Sequence, residues 1–302
     1  MTIDKFLETG VIEKTKHSEG EYISNIFVRP KKDGSYHLIL NLKHLNQFVE
    51  YCHFKMENLK SAITLMSPNC YMATIDLKDA YYSVSIDKDN RKYLRFTWNN
   101  QLFQFTCLAP RIFTKLMKPV YSTLCCKGFE NVGYIDDTYL KGTTFHDCEV
   151  KITNRVKLFR DLGLTLNMAK SVLIPTQCIT FLGFVLNSNE MTVSLTPTKA
   201  IKLQSKAVEL LNTPFPTIRA VSEVIGLMVA SFPGVMYGPL YYRQLEIEKV
   251  AALKLSRGNF EVTMNLSDMA KSDLHLWIEN ITTTSNQTTH GNPNSQFILM
   301  PP

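Results

Sequence analysis

Two short acidic segments decide the fold of this chain: TIDLKDAYYSV at Thr74–Val84 and YIDD at Tyr134–Asp137. The first overlaps a β-branched and aromatic run, Tyr71–Leu77, which predicts a strand that reaches Asp76. The second lies between two strand-like runs, which predicts a hairpin with two aspartates in its turn. Neighbouring strands of an antiparallel sheet can present all three carboxylates at one rim.

Asp76, Asp136 and Asp137 would repel one another at such a rim, because like charges raise each other's pKa values. Mg²⁺ resolves this conflict, since it takes oxygen ligands and is typically held by one or two carboxylates plus substrate phosphates. Two such ions about 3.5–4 Å apart stabilise the attacking and the leaving oxygen of a phosphoryl transfer. The alternative is a solvent-exposed turn, where aspartate is common. The three residues by themselves leave a metal site and a plain turn open.

The composition narrows the class of protein. The 302 residues carry a net charge of +6, with 45% hydrophobic and 20% charged residues. Such values are typical of globular proteins and exclude a disordered, collagen-like or membrane-embedded chain. The sequence does not open on a basic stretch followed by an apolar run, and its seven cysteines include no CxxC pair. We therefore expect reduced thiols, no membrane association, and an intracellular location in the cytoplasm or the nucleus.

Further strand and helix signals surround the acidic segments. The runs Ile23–Val28 and Tyr36–Leu42 flank RPKKDGS, whose Asp-Gly pair predicts a hairpin with basic residues at its tip. After Pro110, apolar residues recur every four positions and predict a helix. The buried face of this helix would consist of Ile112, Leu116, Val120 and Leu124.

Helices dominate the last third of the chain. Thr196 places a capping hydroxyl before a proline at the first helical position, which predicts a helix through Leu211. Thr217 can cap a second helix that continues to about Ser231. Together with the strands of the first two-thirds, this pattern predicts an α+β body followed by a small helical domain.

Cations are concentrated between Lys151 and Arg219, where nine lysines and arginines face only Asp161, Glu190 and Glu209. Such an excess suits a surface that follows the phosphates of a nucleic acid. A solvated helical face explains the same residues equally well.

Four segments, in a fixed order, resemble the motifs of reverse transcriptases. They are KKDGSYHLILNLKHLN at Lys31–Asn46, the two acidic segments, and FLGFVL at Phe181–Leu186. The resemblance is strongest to retrotransposon enzymes of the tyrosine-recombinase (DIRS/Ngaro-like) group, whose polymerase region also runs through FKM, APRIFTK and KPVYSTL segments. It covers about residues 5–285. Four ordered motifs are far more specific than any one of them.

This resemblance implies a right-hand polymerase fold with fingers, an antiparallel-sheet palm and a helical thumb. It implies fingers and palm in residues 1–195, a thumb or connection in 196–280, and in 281–302 a polar tail with the truncated start of a ribonuclease H domain. The implied activity is that of an RNA-directed DNA polymerase, a nucleotidyltransferase. It would add dNTPs to the 3′ end of a primer on an RNA or DNA template.

The resemblance also assigns roles to the acidic residues. Asp76 and Asp136 match the aspartates that bind both catalytic metal ions, and Asp137 matches a third, supporting carboxylate. The implied cofactor is a pair of Mg²⁺ ions, with Mn²⁺ as a possible substitute. One ion would activate the primer hydroxyl, and the other would hold the triphosphate.

Other matched residues would contact substrates. Tyr81 matches the steric gate that excludes a ribose 2′-hydroxyl, although a packed core aromatic is the alternative. Lys31 matches a lysine that contacts the incoming triphosphate. Lys170 lies where the family often has a lysine near the leaving pyrophosphate, with a plain surface lysine as the alternative. The primer grip is matched by Phe181, Leu182, Gly183 and Phe184.

Two departures from the family pattern bear on activity. Leu108 is followed directly by Ala109, where relatives have a Pro-x-Gly loop whose glycine permits close approach to the substrate. His37 stands where the family usually has an arginine against the triphosphate, and a histidine is shorter and mostly uncharged near neutral pH. These departures keep two alternatives open: a catalytically inactive, reverse-transcriptase-like protein that binds nucleic acid, and a fold without any ligand.

Overall fold

The computed structural model describes residues 2–30, 36–49, 57–107, 110–126, 128 and 130–288. The helices are α1 (Thr2–Glu8), α2 (Leu59–Leu65), α3 (Pro110–Cys126), α4 (Phe145–Asp161), α5 (Pro197–Leu211), α6 (Ile218–Ser231), α7 (Arg243–Leu255) and α8 (Asp268–Asn280). The strands are β1 (Ile12–Lys14), β2 (Ile26–Pro30), β3 (Tyr36–Leu40), β4 (Tyr71–Asp76), β5 (Arg95–Trp98), β6 (Gln101–Phe105), β7 (Asn131–Tyr134), β8 (Asp137–Gly142), β9 (Val172–Thr176), β10 (Cys178–Phe181), β11 (Phe184–Asn187), β12 (Thr192–Leu195) and β13 (Ser285–Gln287).

The strands of the described residues form four sheets, in the orders β1-β6-β5, β2-β3, β7-β8-β4-β9 and β10-β11-β12-β13. Strand pairing is antiparallel in each of them, and helices fill the intervals between strands. The predicted α+β class is therefore confirmed. Packing divides the chain into two compact units. The first consists of residues 1–57, 75–138 and 153–171, and the second of residues 58–74, 139–152 and 172–302.

In the first unit, the sheet β1-β6-β5 closes over an apolar core in which Phe96 and Phe103 stack with their ring centroids 5.6 Å apart. The predicted hairpin of β2 and β3 is confirmed, with an antiparallel register from Ile26 opposite Leu40 to Pro30 opposite Tyr36. Its predicted tip, including Lys31, lies outside the described residues.

Strand β4 confirms the prediction for the first acidic segment. Its four central residues, from Met72 to Ile75, are all buried, so both faces of the strand are covered. Continuous burial of this kind suits an apolar and β-branched run in the middle of a sheet. Strand β4 lies between β8 and β9, and it ends at Asp76.

Helix α3 begins at Pro110 as predicted, but the predicted buried face is wrong where its side chains are described. Leu116 is 48% exposed, whereas Phe113, Met117 and Tyr121 are buried. Both sets recur every four residues, so the spacing alone cannot choose between them. The set that is buried contains the larger, aromatic side chains, which remove more apolar surface from water.

The second unit contains the helices predicted for the last third of the chain. Helix α5 runs from Pro197 to Leu211 and α6 from Ile218 to Ser231, which confirms the bounds of both helices. The predicted cap of α5 is wrong, because the Thr196 hydroxyl makes no capping hydrogen bond and only Pro197 at the first helical position is as predicted. The Thr217 hydroxyl accepts a hydrogen bond from the Ala220 N–H at 3.2 Å, so it caps α6. Strand β13, within the segment 281–302, pairs with β12.

Candidate active site

Strands β7 and β8 form the predicted hairpin, here called the carboxylate hairpin (Asn131–Gly142). The turn lies one residue earlier than predicted: its two residues are Ile135 and Asp136, whereas Asp137 is the first residue of β8. Ile135 has a φ of 58°. A positive φ at the first turn residue alone is the pattern of a type II′ turn, where glycine is the usual residue. A β-branched side chain in this conformation is strained, and such strain persists only where the surrounding structure holds it.

Backbone hydrogen bonds bring Asp76 beside this turn. The Leu77 N–H donates to the Asp136 carbonyl oxygen at 3.0 Å, directly after the end of β4. On the other side, the Asp76 N–H donates to Ser171 Oγ at 3.0 Å, and the Asn167 N–H donates to the Asp76 carbonyl oxygen at 2.8 Å. The main chain of Asp76 is therefore fixed from two sides, next to the two aspartates of the hairpin.

The three carboxyl groups interact electrostatically. Burial, together with the charges of Asp136 and Asp76, raises the pKa of Asp137 to about 6. The pKa of Asp136 is also raised, first by burial and then by the charge of Asp76. The exposed Lys170 lies close enough to lower both pKa values. The predicted acidic cluster is thus present as a set of interacting groups, with a lysine at its border.

The residues of this cluster fit a divalent cation. Their donors are all oxygens, which suits Mg²⁺, and their ionised forms disfavour one another without a counter-charge. No three acidic, histidine or cysteine side chains of the described residues form a ready-made metal cage. Mg²⁺ does not require one, because it is held by one or two carboxylates together with substrate phosphates.

Three of the predicted substrate-binding residues are described in part or not at all. Lys31 lies outside the described residues, as do Leu108 and Ala109, the site of the predicted loop deletion. His37 pairs with Arg29 through its backbone in the β2-β3 hairpin. Tyr81 lies in a short 3-10 helix that follows β4. The structure describes no side chain for His37 or Tyr81.

The predicted hairpin at Phe181–Phe184 is confirmed as a structural element and is here called the FLGF hairpin (β10 and β11, Cys178–Asn187). Both turn residues, Leu182 and Gly183, have positive φ, of 49° and 76°. This is the pattern of a type I′ turn. Phe181 and Phe184 are buried, so Leu182 and Gly183 are the groups at its tip that could face a ligand.

Lys199, in the first turn of α5, lies across the FLGF turn. Its Nζ donates to the Leu182 carbonyl oxygen at 3.1 Å and lies 4.3 Å from the centroid of the Phe184 ring. Burial lowers the pKa of this lysine. Nothing in the sequence distinguishes Lys199 from the other eight cations of the basic stretch, so this contact could not be predicted.

The structure does not support a single phosphate-binding track over that whole stretch. Lys151 and Arg155 are only 9% and 1% exposed. Lys206 and Arg219 form ion pairs with glutamates at 2.9 and 2.5 Å, and Lys199 contacts the FLGF turn. The members that remain exposed without these contacts are Lys157, Arg160, Lys170 and Lys202.

Comparison with known proteins identifies the class of protein. Residues 29–186, just over half of the chain, match the family described as reverse transcriptase (RNA-dependent DNA polymerase). The matched region includes all three aspartates and the FLGF turn. The chain therefore belongs to the reverse transcriptase family.

Relatives of the chain are polyproteins of viruses and transposons. It is 26% identical over 202 residues to a polyprotein of Cassava vein mosaic virus, with 61% of this chain and 29% of that protein covered. It is 20% identical over 196 residues to a transposon Tf2-3 polyprotein of Schizosaccharomyces pombe, which covers 63% of this chain and 14% of the polyprotein. The chain thus spans less than a third of these relatives.

The fold is that of a solved polymerase. A foamy viral protease-reverse transcriptase in complex with dsDNA superposes with a TM-score of 0.76 at 20% identity, covering 96% of this chain and 58% of that one. A foamy viral protease-reverse transcriptase in complex with an RNA/DNA hybrid gives a TM-score of 0.74 at 21% identity, over 94% of this chain and 36% of that one. The predicted polymerase fold is confirmed. Within the described residues, no helix is long and apolar enough to cross a membrane.

Proposed function

We propose that the chain is the polymerase part of an RNA-directed DNA polymerase that extends a primer with dNTPs on an RNA or DNA template. The observation that supports this most strongly is the hydrogen bond from the Leu77 N–H to the Asp136 carbonyl oxygen, which holds the two acidic segments side by side. Family membership supports the same reaction class. On its FKM, APRIFTK and KPVYSTL segments we assign the chain to the DIRS/Ngaro-like group.

Asp76 and Asp136 would hold the divalent ions, which supply charge stabilisation for phosphoryl transfer when bound. Asp137 supports this pair as a third negative charge. Its raised pKa reflects a site that is partly buried and already acidic, and therefore suited to attract a cation. Lys170 lies at the border of the cluster, where an ammonium group could stabilise the departing pyrophosphate.

The remaining roles follow from the motif positions. Tyr81 would exclude a ribose 2′-hydroxyl, and Lys31 and His37 would contact the triphosphate. The FLGF hairpin would hold the primer end, with Leu182 and Gly183 at its tip.

The same proposal covers the chain's organisation. Residues 1–195 would form fingers and palm, and residues 196–280 the thumb or connection. The nucleic acids present in the foamy viral complexes support a primer–template duplex as the partner. An intracellular location is consistent with this partner.

Primer extension tests the proposal. The purified chain would be incubated with Mg²⁺, an oligo(dT)-primed poly(rA) template and labelled dTTP. We expect extension that depends on Mg²⁺ and is lost in Asp76→Asn. An absence of extension, in conditions where a variant with a restored Pro-x-Gly loop after Leu108 does extend, would assign the chain to the catalytically inactive alternative. Duplex binding that weakens steeply with salt would then be its remaining function.

A further inference from the structure

Tyr121, in α3, contacts both strands of the carboxylate hairpin. Its hydroxyl lies 3.2 Å from Thr138 Oγ1 in β8, one residue after Asp137. Its ring packs across Gly133 in β7, so closely that a Cβ atom at that position would lie 2.0 Å from the Tyr121 ring. Gly133 and Thr138 stand on opposite sides of the turn formed by Ile135 and Asp136. One aromatic ring therefore spans the hairpin immediately below its turn.

Tyr121 is itself held in place. The side chain is buried, and Thr138 is fully buried, so no water competes for their hydrogen bond. The Arg155 guanidinium lies 5.3 Å from the centre of the Tyr121 ring, within the range of a cation–π contact, and is 1% exposed. The Asn131 side-chain amide donates to the Tyr121 carbonyl oxygen at 3.5 Å. A ring with contacts to its face, edge and hydroxyl cannot rotate away from the hairpin.

The outer edge of β7 is fixed as well. The Gly133 N–H donates to Glu57 Oε2 at 2.6 Å, on the same residue that the Tyr121 ring covers. The Glu57 carboxylate therefore holds Gly133, and the Tyr121 hydroxyl holds Thr138, on the two strands that flank the turn. Such ties are needed because Ile135 has a positive φ, a conformation that relaxes unless its surroundings hold it.

We propose that Tyr121 is a positioning residue for the carboxylate hairpin, acting through Gly133 and Thr138 to hold the turn that carries Asp136. The proposal rests on the proposed function for its effect on catalysis, because there the carboxylates of this hairpin carry out the reaction. Its structural part, the restraint of the turn, stands independently of any activity.

Hydrogen–deuterium exchange tests the structural part. In Tyr121→Phe we expect peptides within residues 131–138 to exchange about five-fold faster, the change that corresponds to one lost buried hydrogen bond. Exchange within residues 197–280 should stay unchanged. The matched control is Tyr237→Phe, which removes another buried hydroxyl, one without a hydrogen-bond partner among the described residues. This control should leave exchange in the carboxylate hairpin at the wild-type rate.

A double-mutant cycle assigns the effect to the Tyr121–Thr138 contact. Thr138→Val should speed exchange to a similar extent, and the double variant should exchange no faster than either single variant. In primer extension, Tyr121→Phe should lower kcat about five-fold with an unchanged KM for primer–template. A general loss of structure would change both parameters together with Tm.

The outcomes separate the two proposals. Wild-type exchange in the Tyr121→Phe hairpin, or additive effects of the two single variants, would overturn the positioning role. If the wild-type chain extends no primer while Tyr121→Phe still loosens the hairpin, the proposed function fails and the restraint stands. If the wild-type chain extends primers and Tyr121→Phe matches it in exchange and kcat, the restraint fails and the proposed function stands.

Discussion

The carboxylate hairpin and the FLGF hairpin have the same backbone architecture, but their turns carry different chemical groups. Each joins two antiparallel strands through a two-residue turn, and each has a non-glycine residue with positive φ at the first turn position, Ile135 or Leu182. In the FLGF hairpin, the second position is Gly183, and the Leu182 carbonyl accepts a hydrogen bond from Lys199. In the carboxylate hairpin, the second position is an aspartate of raised pKa.

The two turns differ in backbone strain and in charge repulsion. The FLGF turn has the residues expected of a type I′ turn, because glycine, which adopts positive φ without a steric penalty, fills one of its two positions. Lys199 donates a hydrogen bond to the carbonyl oxygen of the other turn residue, Leu182. The carboxylate turn combines a β-branched residue at positive φ with like charges that are partly buried. Strain and repulsion of this kind are typical of functional sites, where substrate or metal relieves what the free protein must hold.

The largest expected effect is on the rate of primer extension. It concerns the acidic cluster, to which the carboxylate hairpin contributes Asp136 and Asp137. Asp76→Asn should reduce kcat for primer extension by about a thousand-fold, since several kcal/mol of charge stabilisation are lost and each 1.4 kcal/mol is about ten-fold in rate. The matched control is Asp161→Asn, an exposed aspartate at the end of α4. Extension by Asp76→Asn at the level of this control would contradict the metal-binding role of the acidic cluster that Asp76 forms with the carboxylate hairpin.

The second-largest effect concerns one glycine in each hairpin, Gly133 in β7 and Gly183 in the FLGF turn. Gly133→Ala should cost about 3 kcal/mol of unfolding free energy, because its Cβ would overlap the confined ring of Tyr121. Gly183→Ala should cost only about 1–2 kcal/mol, the penalty for a left-handed alanine, because the atom it meets belongs to the flexible side chain of Lys199. Urea denaturation measures both. Equal costs would show that the ring of Tyr121 yields as easily as a lysine side chain.

The raised pKa of Asp137, caused first by burial and then by the charges of Asp136 and Asp76, predicts a pH-dependent stability. The pKa of Asp137 is raised to about 6 in the folded protein, so the folded state binds this proton more tightly than the unfolded state does. Stability of the metal-free protein should therefore fall as pH rises from 4 through 6. Asp137→Asn removes this loss and should raise Tm by about 3 °C above pH 6, with little change at pH 4.

Thermal scans in a chelator-containing buffer at pH 4 and pH 7.5 measure this difference. Lys206→Met, which removes a partly exposed, ion-paired cation, serves as a control for general surface charge. A Tm advantage of Asp137→Asn that is the same at both pH values would contradict the predicted pH dependence of stability.

The smallest effect concerns backbone strain at the first turn positions. Ile135→Gly should stabilise the protein by about 0.5–1 kcal/mol, because relief of the left-handed conformation exceeds the entropic cost of glycine. Leu182→Gly should gain less, since its side chain is not β-branched. Chemical denaturation of the pair measures the difference. A larger gain at Leu182 would place the greater strain in the FLGF hairpin.

Much of the framework could be predicted from local signals. The strand of the first acidic segment, the β2-β3 hairpin and the Thr217 cap of α6 depend on neighbouring residues, so the sequence displays them directly. The FLGF hairpin was implied by the resemblance to a known family. The polymerase fold was implied by the resemblance of four ordered motifs to those of reverse transcriptases. These predictions needed no knowledge of which residues meet across the fold.

Long-range contacts could not be predicted in this way. Ser171 binds the backbone of Asp76 from 95 residues away, and nothing in its sequence context indicates that role. The buried face of α3 was predicted one residue out of register, which hid Tyr121 and therefore the closeness of Gly133. Arg155 was counted as a surface cation because charge in a sequence does not report burial.

The central claim, that Asp76 and Asp136 form the metal-binding centre of a polymerase, is tested most directly by crystals of the chain grown with primer–template, a dNTP and Mn²⁺. The anomalous scattering of manganese would locate the ions independently of any activity. The account predicts anomalous peaks within coordination distance of the carboxylate oxygens of both Asp76 and Asp136. Manganese bound elsewhere, with both carboxylates free of metal while the duplex is present, would contradict it.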